Sequence, residues 1–251
     1  MYPGKPMPLT PEQEWIIAAC GLIAHADGEF TPDESDQVLV MLDEQLSPEE
    51  HARWLVLLGD HDALRRAFAE LPPPLPAFTE PLLEKAWTMA LADGHAGPAE
   101  IHELERIAAE LGIESVDLAQ WRRQWTAGAV VLAEHIATFA ALLIHHDGTI
   151  DAEEQRRFSD LLGRLPLADA RRERLAHDLR AHPPTLDHVG ATLASLPRER
   201  RLTVLRAIAP LVAASSQAVL GRAFFLDLAR AAAISSEQAL RLLGPPAEAA
   251  E

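Results

Sequence analysis

Residues 24–34 read Ala24-His25-Ala26-Asp27-Gly28-Glu29-Phe30-Thr31-Pro32-Asp33-Glu34, and the same pattern stands twice more in the chain. The second copy is Ala90-Leu91-Ala92-Asp93-Gly94-His95-Ala96-Gly97-Pro98-Ala99-Glu100. The third is Ile144-His145-His146-Asp147-Gly148-Thr149-Ile150-Asp151-Ala152-Glu153-Glu154. Each ends an apolar run in Asp-Gly and places a Glu seven residues after the Asp. Glycine takes the left-handed conformation that closes a helix C-terminus. Thr31, Gly97 or Asp151 then stands at the cap of a following helix, whose third residue, a Glu, reaches back to the cap's own N–H. The pattern predicts a helix–turn–helix hairpin, used repeatedly.

Working outward, the same kind of helix start recurs. Thr10-Pro11-Glu12-Gln13 and Ser47-Pro48-Glu49-Glu50 are capping boxes with proline at the first helical position, and Ser235-Ser236-Glu237-Gln238 is a variant. Between the starts, apolar residues fall at helical spacing. Leu82, Leu83, Ala86, Trp87, Ala90 and Leu91 form one stripe, Ile101, Leu104, Ala108 and Leu111 another, and Phe158, Leu161, Leu162 and Leu165 a third. Trp15 to Ala26 is apolar nearly all round, the mark of a helix at a domain centre. Leu71–Pro81 and His182–Thr185 read as loops. With few aromatics and much Ala and Leu, the expectation is an all-α fold.

The first and third hairpins lie 120 residues apart, which predicts a duplicated domain. The second hairpin has a faint counterpart: Leu205 to Ser216 follows the apolar pattern of Leu83 to Gly94, and Ile234 to Leu240 resembles Ile113 to Ala119. There Ser215 and Ser216 replace Asp-Gly and Arg222 replaces the Glu, so the fourth site has decayed. The boundary is drawn near Ala127–Gly128, giving domains over residues 1–128 and 129–251.

Charge separates the two halves. The chain of 251 residues has a formal charge of −16. Residues 1–128 hold 8 basic and 23 acidic side chains, whereas residues 129–251 hold 14 and 15. Phosphate tracking needs a basic face, so nucleic acid is not an expected partner. The acidic half keeps the chain soluble, or attracts cations or a basic protein partner. The lone cysteine, Cys20, lies in an apolar run and is expected to be a buried, inert thiol. No secretory h-region is seen and no apolar stretch is read as reaching the ~18 residues of a membrane span, so the expected location is the cytoplasm without membrane insertion.

Two chemical readings fit the repeated motif. In one, Asp and Glu serve only the backbone: the Glu residues cap, and Asp27, Asp93 and Asp147 accept turn N–H groups. In the other, carboxylates from paired hairpins converge on a divalent cation (Ca²⁺, Mg²⁺ or Mn²⁺). The candidate ligands are then Asp27, Glu34, Asp93, Glu100, Asp147 and Glu154, with Asp33 assisting. These are not EF-hand loops, because Ile23 and His25, Met89 and Leu91, and Leu143 and His145 stand where oxygen ligands are required. His25, His95, His145 and His146 cluster beside the motif without a zinc spacing. No phosphate loop, His-Glu-x-x-His or Gly-x-Ser-x-Gly is present, and no catalytic residue is assigned. A metal-dependent hydrolase is the remote alternative and would need converging carboxylates in a cleft. The groups Arg171-Arg172-Arg174 and Arg198-Arg200-Arg201 read as solvated faces, or as contacts to an anion or an acidic partner.

At these hairpins the sequence resembles the tellurite-resistance TerB-like family, whose pattern is an apolar helix ending in Ala-x-x-Asp-Gly followed by a Ser/Thr-Pro-x-Glu start. Ala24–Glu34 matches closely, Ala90–Glu100 carries Gly97 for the hydroxyl residue, and Ile144–Glu154 carries Asp151. Leu111-Gly112-Ile113 resembles the family's second helix ending. The resemblance is good over residues 10–127, fair over 135–165 and faint beyond about 200. It implies two bundles of about seven helices, the second degenerate. It further implies a non-enzymatic binding or scaffold role in bacterial stress response, with acidic clusters as candidate metal sites. Family members also form part of membrane-anchored J-domain co-chaperones, a role not carried over here. A protein partner is expected, and a homo-oligomer stays open. The rival is a purely structural interaction module without metal.

Overall fold

Helix starts in this chain are written in side-chain oxygens, and the computed structural model places them at the start of helices. It describes residues 9–28, 38, 47–91, 95–145, 152–182, 184–213 and 218–243. Thr10 Oγ1 accepts from Gln13 N–H at 3.3 Å while Gln13 Oε1 accepts from Thr10 N–H at 2.8 Å, starting α1 (Pro11–Ala24). Ser47 and Glu50 repeat the exchange at 3.2 and 3.0 Å for α2 (Pro48–Leu58). Asp60 accepts from Ala63 N–H at 3.0 Å to begin α3 (His61–Glu70), a cap that the box pattern does not flag because no Glu or Gln follows at the third position. The start at Thr31 lies outside the described residues.

The chain divides into two compact units, Met1–Ala127 and Gly128–Glu251. In the first, α1 is the central helix: every residue from Trp15 to Ala24 is buried. It packs against α3, α4 (Pro76–Ala90) and α5 (Pro98–Glu110), and α2 packs on α3. Trp15 meets Phe68 of α3 with ring centroids 5.5 Å apart. Leu83, Ala86, Leu104 and Ala108 complete this core from the predicted stripes, joined by Ile107.

The expected loop Leu71–Pro81 is shorter than read, because α4 already begins at Pro76. Pro76 occupies the first helical position, where an N–H would have no helical partner. Pro81 lies inside α4 and is exposed, and the carbonyl it leaves without a helical bond belongs to exposed Ala77, within reach of water.

The division between units falls inside α6 (Ser115–Ile144). A single glycine, Gly128, stands there among good helix formers, and its cost of ~1 kcal/mol does not end a helix. The second unit is built from the later part of α6 together with α7 (Ala152–Gly163), α8 (Asp169–Ala181), α9 (Leu186–Ser195), α10 (Arg198–Ala213), α11 (Ala218–Ala231) and α12 (Ser236–Leu243). Its core gathers Phe139, Phe158, Leu193, Leu205, Ile208, Phe225 and Leu228, among others. Among the described residues all regular structure is helical.

The expectation that no stretch is apolar enough to span a membrane needs correction at α6. Its 30 residues contain an 18-residue window of mean hydropathy 1.9. Half of that window is buried within the protein, and Ala133, Ile136, Ala137 and Phe139 belong to the second unit's core. Glu134 on the same helix pairs with Arg171 at 2.6 Å. A core helix is apolar for the same reason a membrane helix is, since both exclude water from most of their circumference.

Candidate functional site

Three of the six carboxylates assigned from the hairpins are described: Asp27, Glu100 and Glu154. Glu34, Asp93 and Asp147 lie outside the described residues, as do Asp33 and His146. Asp27 is exposed just beyond the end of α1, followed by Gly28 at φ +87°. Helix α1 itself ends earlier than the Asp-Gly pattern suggests, with His25 as its C-cap, and Gly28 N–H donates to the His25 carbonyl at 3.0 Å to close the turn that follows. Glu100 is the third residue of α5, and its Oε2 accepts from Gly97 N–H at 2.6 Å. Gly97 contributes no side chain, so only the returning half of the capping box remains. Glu154 is the buried third residue of α7, and Asp151 at its cap is outside the described residues.

Among the described residues no three His, Cys, Asp or Glu side chains group closely enough to hold a metal ion. The hairpin donors are carboxylates, a set that suits hard cations taking oxygen ligands rather than zinc or copper. Asp27 and Glu100 belong to the first unit, where α1 packs against α5. Glu154 belongs to the second.

Around the first hairpin the structure adds partners that spacing does not reveal. His25 Nε2 bonds the Leu58 carbonyl at 2.6 Å, which assigns the proton to that nitrogen, since a carbonyl only accepts. The ring also lies 5.4 Å from that of His61. Arg65 donates to His61 Nε2 at 3.2 Å and to Glu103 at 3.4 Å. Glu103 is buried and receives Arg106 at 2.6 and 3.1 Å. Burial pushes its carboxyl upward, but the bonds and charges of Arg106 and Arg65 outweigh that and hold it below the usual glutamate range. The sequence carries part of this signal: Glu103 lies one turn before Ile107, so a helix places it at the edge of the face that Leu104 and Ile107 bury.

The third hairpin differs. His145 occupies the place of His25, yet its Nε2 is buried without a hydrogen-bond partner among the described residues. Burial alone lowers its pKa, favouring the neutral ring. Cys20 is buried, and desolvation, partly offset by Lys85, pushes its thiol up to about 12. A thiol in that state is not a nucleophile near neutral pH.

The two arginine groups read as faces or ligand contacts are in good part structural. Arg171 holds Glu134. Arg172 donates to Asp169 at 2.8 Å and to the Leu167 carbonyl at 3.0 Å, tying down the turn before α8. Arg174 donates to the Ala170 carbonyl at 3.0 Å. Arg201 donates to the Ala232 carbonyl at 2.6 Å, at the end of α11. Arg200 lies close to Gly128, where an added Cβ would stand 3.4 Å from its guanidinium.

A comparison with known families now bears on this geometry. Residues 13–123 match the family model described as tellurite resistance protein TerB. The match covers α1 to α5 and the opening of α6, and with them the first two hairpins. No curated protein and no solved structure matches the chain.

Proposed function

From the premise that residues 13–123 are a TerB-like domain, we propose that the protein is a non-enzymatic binding module of bacterial stress response, acting from the cytoplasm. The observation that carries this reading is the family match lying over both acidic hairpins of the first unit. On this proposal, Asp27, Glu34, Asp93 and Glu100 offer a hard divalent cation its oxygen ligands, with Asp147 and Glu154 as the reduced set of the second unit. The cation supplies positive charge that lets carboxylates approach one another. A protein partner, of basic character by complement to the acidic half, completes the role.

Tandem duplication is part of the proposal, and one recurring backbone device supports it. After α5, Gly112 has φ +73°, with Gly112 N–H bonding Ala109 at 3.0 Å and Ile113 N–H bonding Ala108 at 3.0 Å. After α11, Ala233 has φ +54°, with Ala233 N–H bonding Arg230 at 3.0 Å and Ile234 N–H bonding Ala229 at 2.9 Å. Both are Schellman closures with isoleucine in the same place, about 120 residues apart.

A second reading keeps the domain and removes the metal. The Glu100 bond to Gly97 favours it, because capping by itself gives that carboxylate a structural purpose. The two readings separate on unfolding of metal-stripped protein with Ca²⁺, Mg²⁺ or Mn²⁺ added, since a ligand stabilises only the state it binds. All five tryptophans lie in the first unit, so fluorescence follows that unit. We expect its midpoint to rise with one of these metals and the rise to vanish in Asp27→Ala. A metal-insensitive midpoint, with Asp27→Ala and Glu100→Ala merely less stable, would establish the capping reading instead.

A further inference from the structure

Outside the acidic hairpins, the second unit contains a pocket of about 260 Å³ between α7 and α10, lined by three arginines, Arg156, Arg157 and Arg164. Its apolar floor is made by Leu161, Pro210 and Leu211. Arg156 and Arg157 stand on α7 and Arg164 directly follows its last residue, and all three line the same opening. Their charge is incompletely balanced. Among the described residues Glu153 is the ion-pair partner of both Arg156, at 2.6 Å, and Arg157, at 2.6 Å, and Asp160 adds a weaker attraction at Arg156. Arg157 uses only its Nε–H in that bond, leaving its terminal nitrogens for another acceptor. Arg164 has no hydrogen-bond or ion-pair partner for its side chain among the described residues, and neither does Asp160, the one acidic residue lining the pocket. Guanidinium groups with free donors beside an apolar wall match a planar or tetrahedral oxyanion carried on a small apolar body.

We propose that this pocket binds a small anion of the phosphate class, its oxygens taken by Arg156, Arg157 and Arg164 and any apolar substituent laid on Leu161, Pro210 and Leu211. Volume and charge set the class. The space is too small for most drug-sized ligands. The second unit has nearly equal numbers of acidic and basic side chains, so it lacks the extended basic face that a nucleic acid backbone requires.

The test is calorimetric titration of the full chain at pH 8 with inorganic phosphate and, separately, with phenyl phosphate, in sodium chloride of matched ionic strength. Both ligands are mainly dianions there: the second ionisation of a phosphate monoester lies at about 6, and that of inorganic phosphate is higher but still below pH 8. We expect saturable binding of one anion per chain, with phenyl phosphate roughly tenfold tighter because it also covers the apolar floor. Arg157→Gln and Arg164→Gln should each weaken it about tenfold or more. Arg230→Gln, at an exposed arginine paired with Asp227 on α11, should leave it unchanged. The side-chain N–H resonances of Arg157 and Arg164 should shift with the same saturation curve. The proposal is overturned if neither anion gives heat or shifts beyond the chloride control. It is equally overturned if folded Arg157→Gln and Arg164→Gln proteins bind as the wild type does.

Discussion

Ala233 holds a backbone conformation that Gly112 holds without cost. A Cβ in the left-handed region crowds the following carbonyl and costs roughly 1–2 kcal/mol, yet the closure after α11 keeps φ +54° and both of its hydrogen bonds. Ala232 and Ile234 on either side are buried, so the core on both flanks outweighs the local strain. Ala233→Gly should therefore stabilise the protein by about 1 kcal/mol net of the added chain entropy, read as a raised urea midpoint with unchanged slope. A fall in midpoint would mean that the alanine methyl makes contacts worth more than the strain. Nothing in the residue types alone announces this position, because alanine is the best helix former and the worst clue to a left-handed turn.

At the scale of elements, close packing of α1 rests on a missing side chain. Gly21 sits in the middle of a buried helix, where glycine costs ~1 kcal/mol relative to alanine. A Cβ there would collide with Leu58 Cδ2 and stand 2.9 Å from Leu64 Cδ2. Both leucines are fully buried, so their methyl groups move aside only by repacking within the core. Overpacking of this kind costs about 1–3 kcal/mol, which exceeds the gain in helix propensity. Gly21→Ala should thus lower stability by about 1 kcal/mol or slightly more, measured by chemical denaturation. A more stable variant would show that α2 and α3 yield easily. Elements are also where the sequence was most legible. The boxes at Thr10 and Ser47, the Ser235 cap and the helix starts at Pro98 and Ala152 are local chemistry, set within four residues, so they are legible without the fold. Pro81 misleads because a helix accommodates proline where the freed carbonyl faces water, and solvent exposure is not a local property.

For the molecule as a whole, the acidic excess makes stability respond to pH through particular carboxylates. Glu50 accepts from its own cap residue Ser47 and from Leu9 N–H at 3.0 Å, fastening the chain before α1 to the start of α2. Those backbone bonds hold its pKa below the ordinary value. Glu103 likewise ties α3 to α5 through Arg65 and titrates low because Arg106 and Arg65 outweigh its burial. For a group whose pKa is lower folded than unfolded, the stabilisation is complete above the unfolded value, about 4.3, and disappears as pH falls through the folded one. The urea midpoint should therefore drop on acidification from about pH 5 towards 3. Glu103→Gln should be less stable than wild type at neutral pH by about 1–3 kcal/mol and should show a shallower acid decline. A parallel decline in the variant would remove Glu103 from the account.

Helix positions, their caps and the central place of α1 were determined by the sequence itself, since each follows from side chains within one or two turns of the chain. The repeated Asp-Gly motif is likewise read from the order of residues, as is the match of residues 13–123 to the TerB family model. Tertiary structure alone decided which distant groups meet: His25 with the Leu58 carbonyl, Glu103 with Arg65, and Arg156, Arg157 and Arg164 with Pro210 and Leu211 of α10. It also decided that the apolar stretch of α6 contributes to a protein core. The physical reason is range. Capping and periodicity act over a few residues and leave their mark in the order of letters. Burial and long-range hydrogen bonds depend on which helix face turns towards which neighbour, and no single stretch of sequence records that.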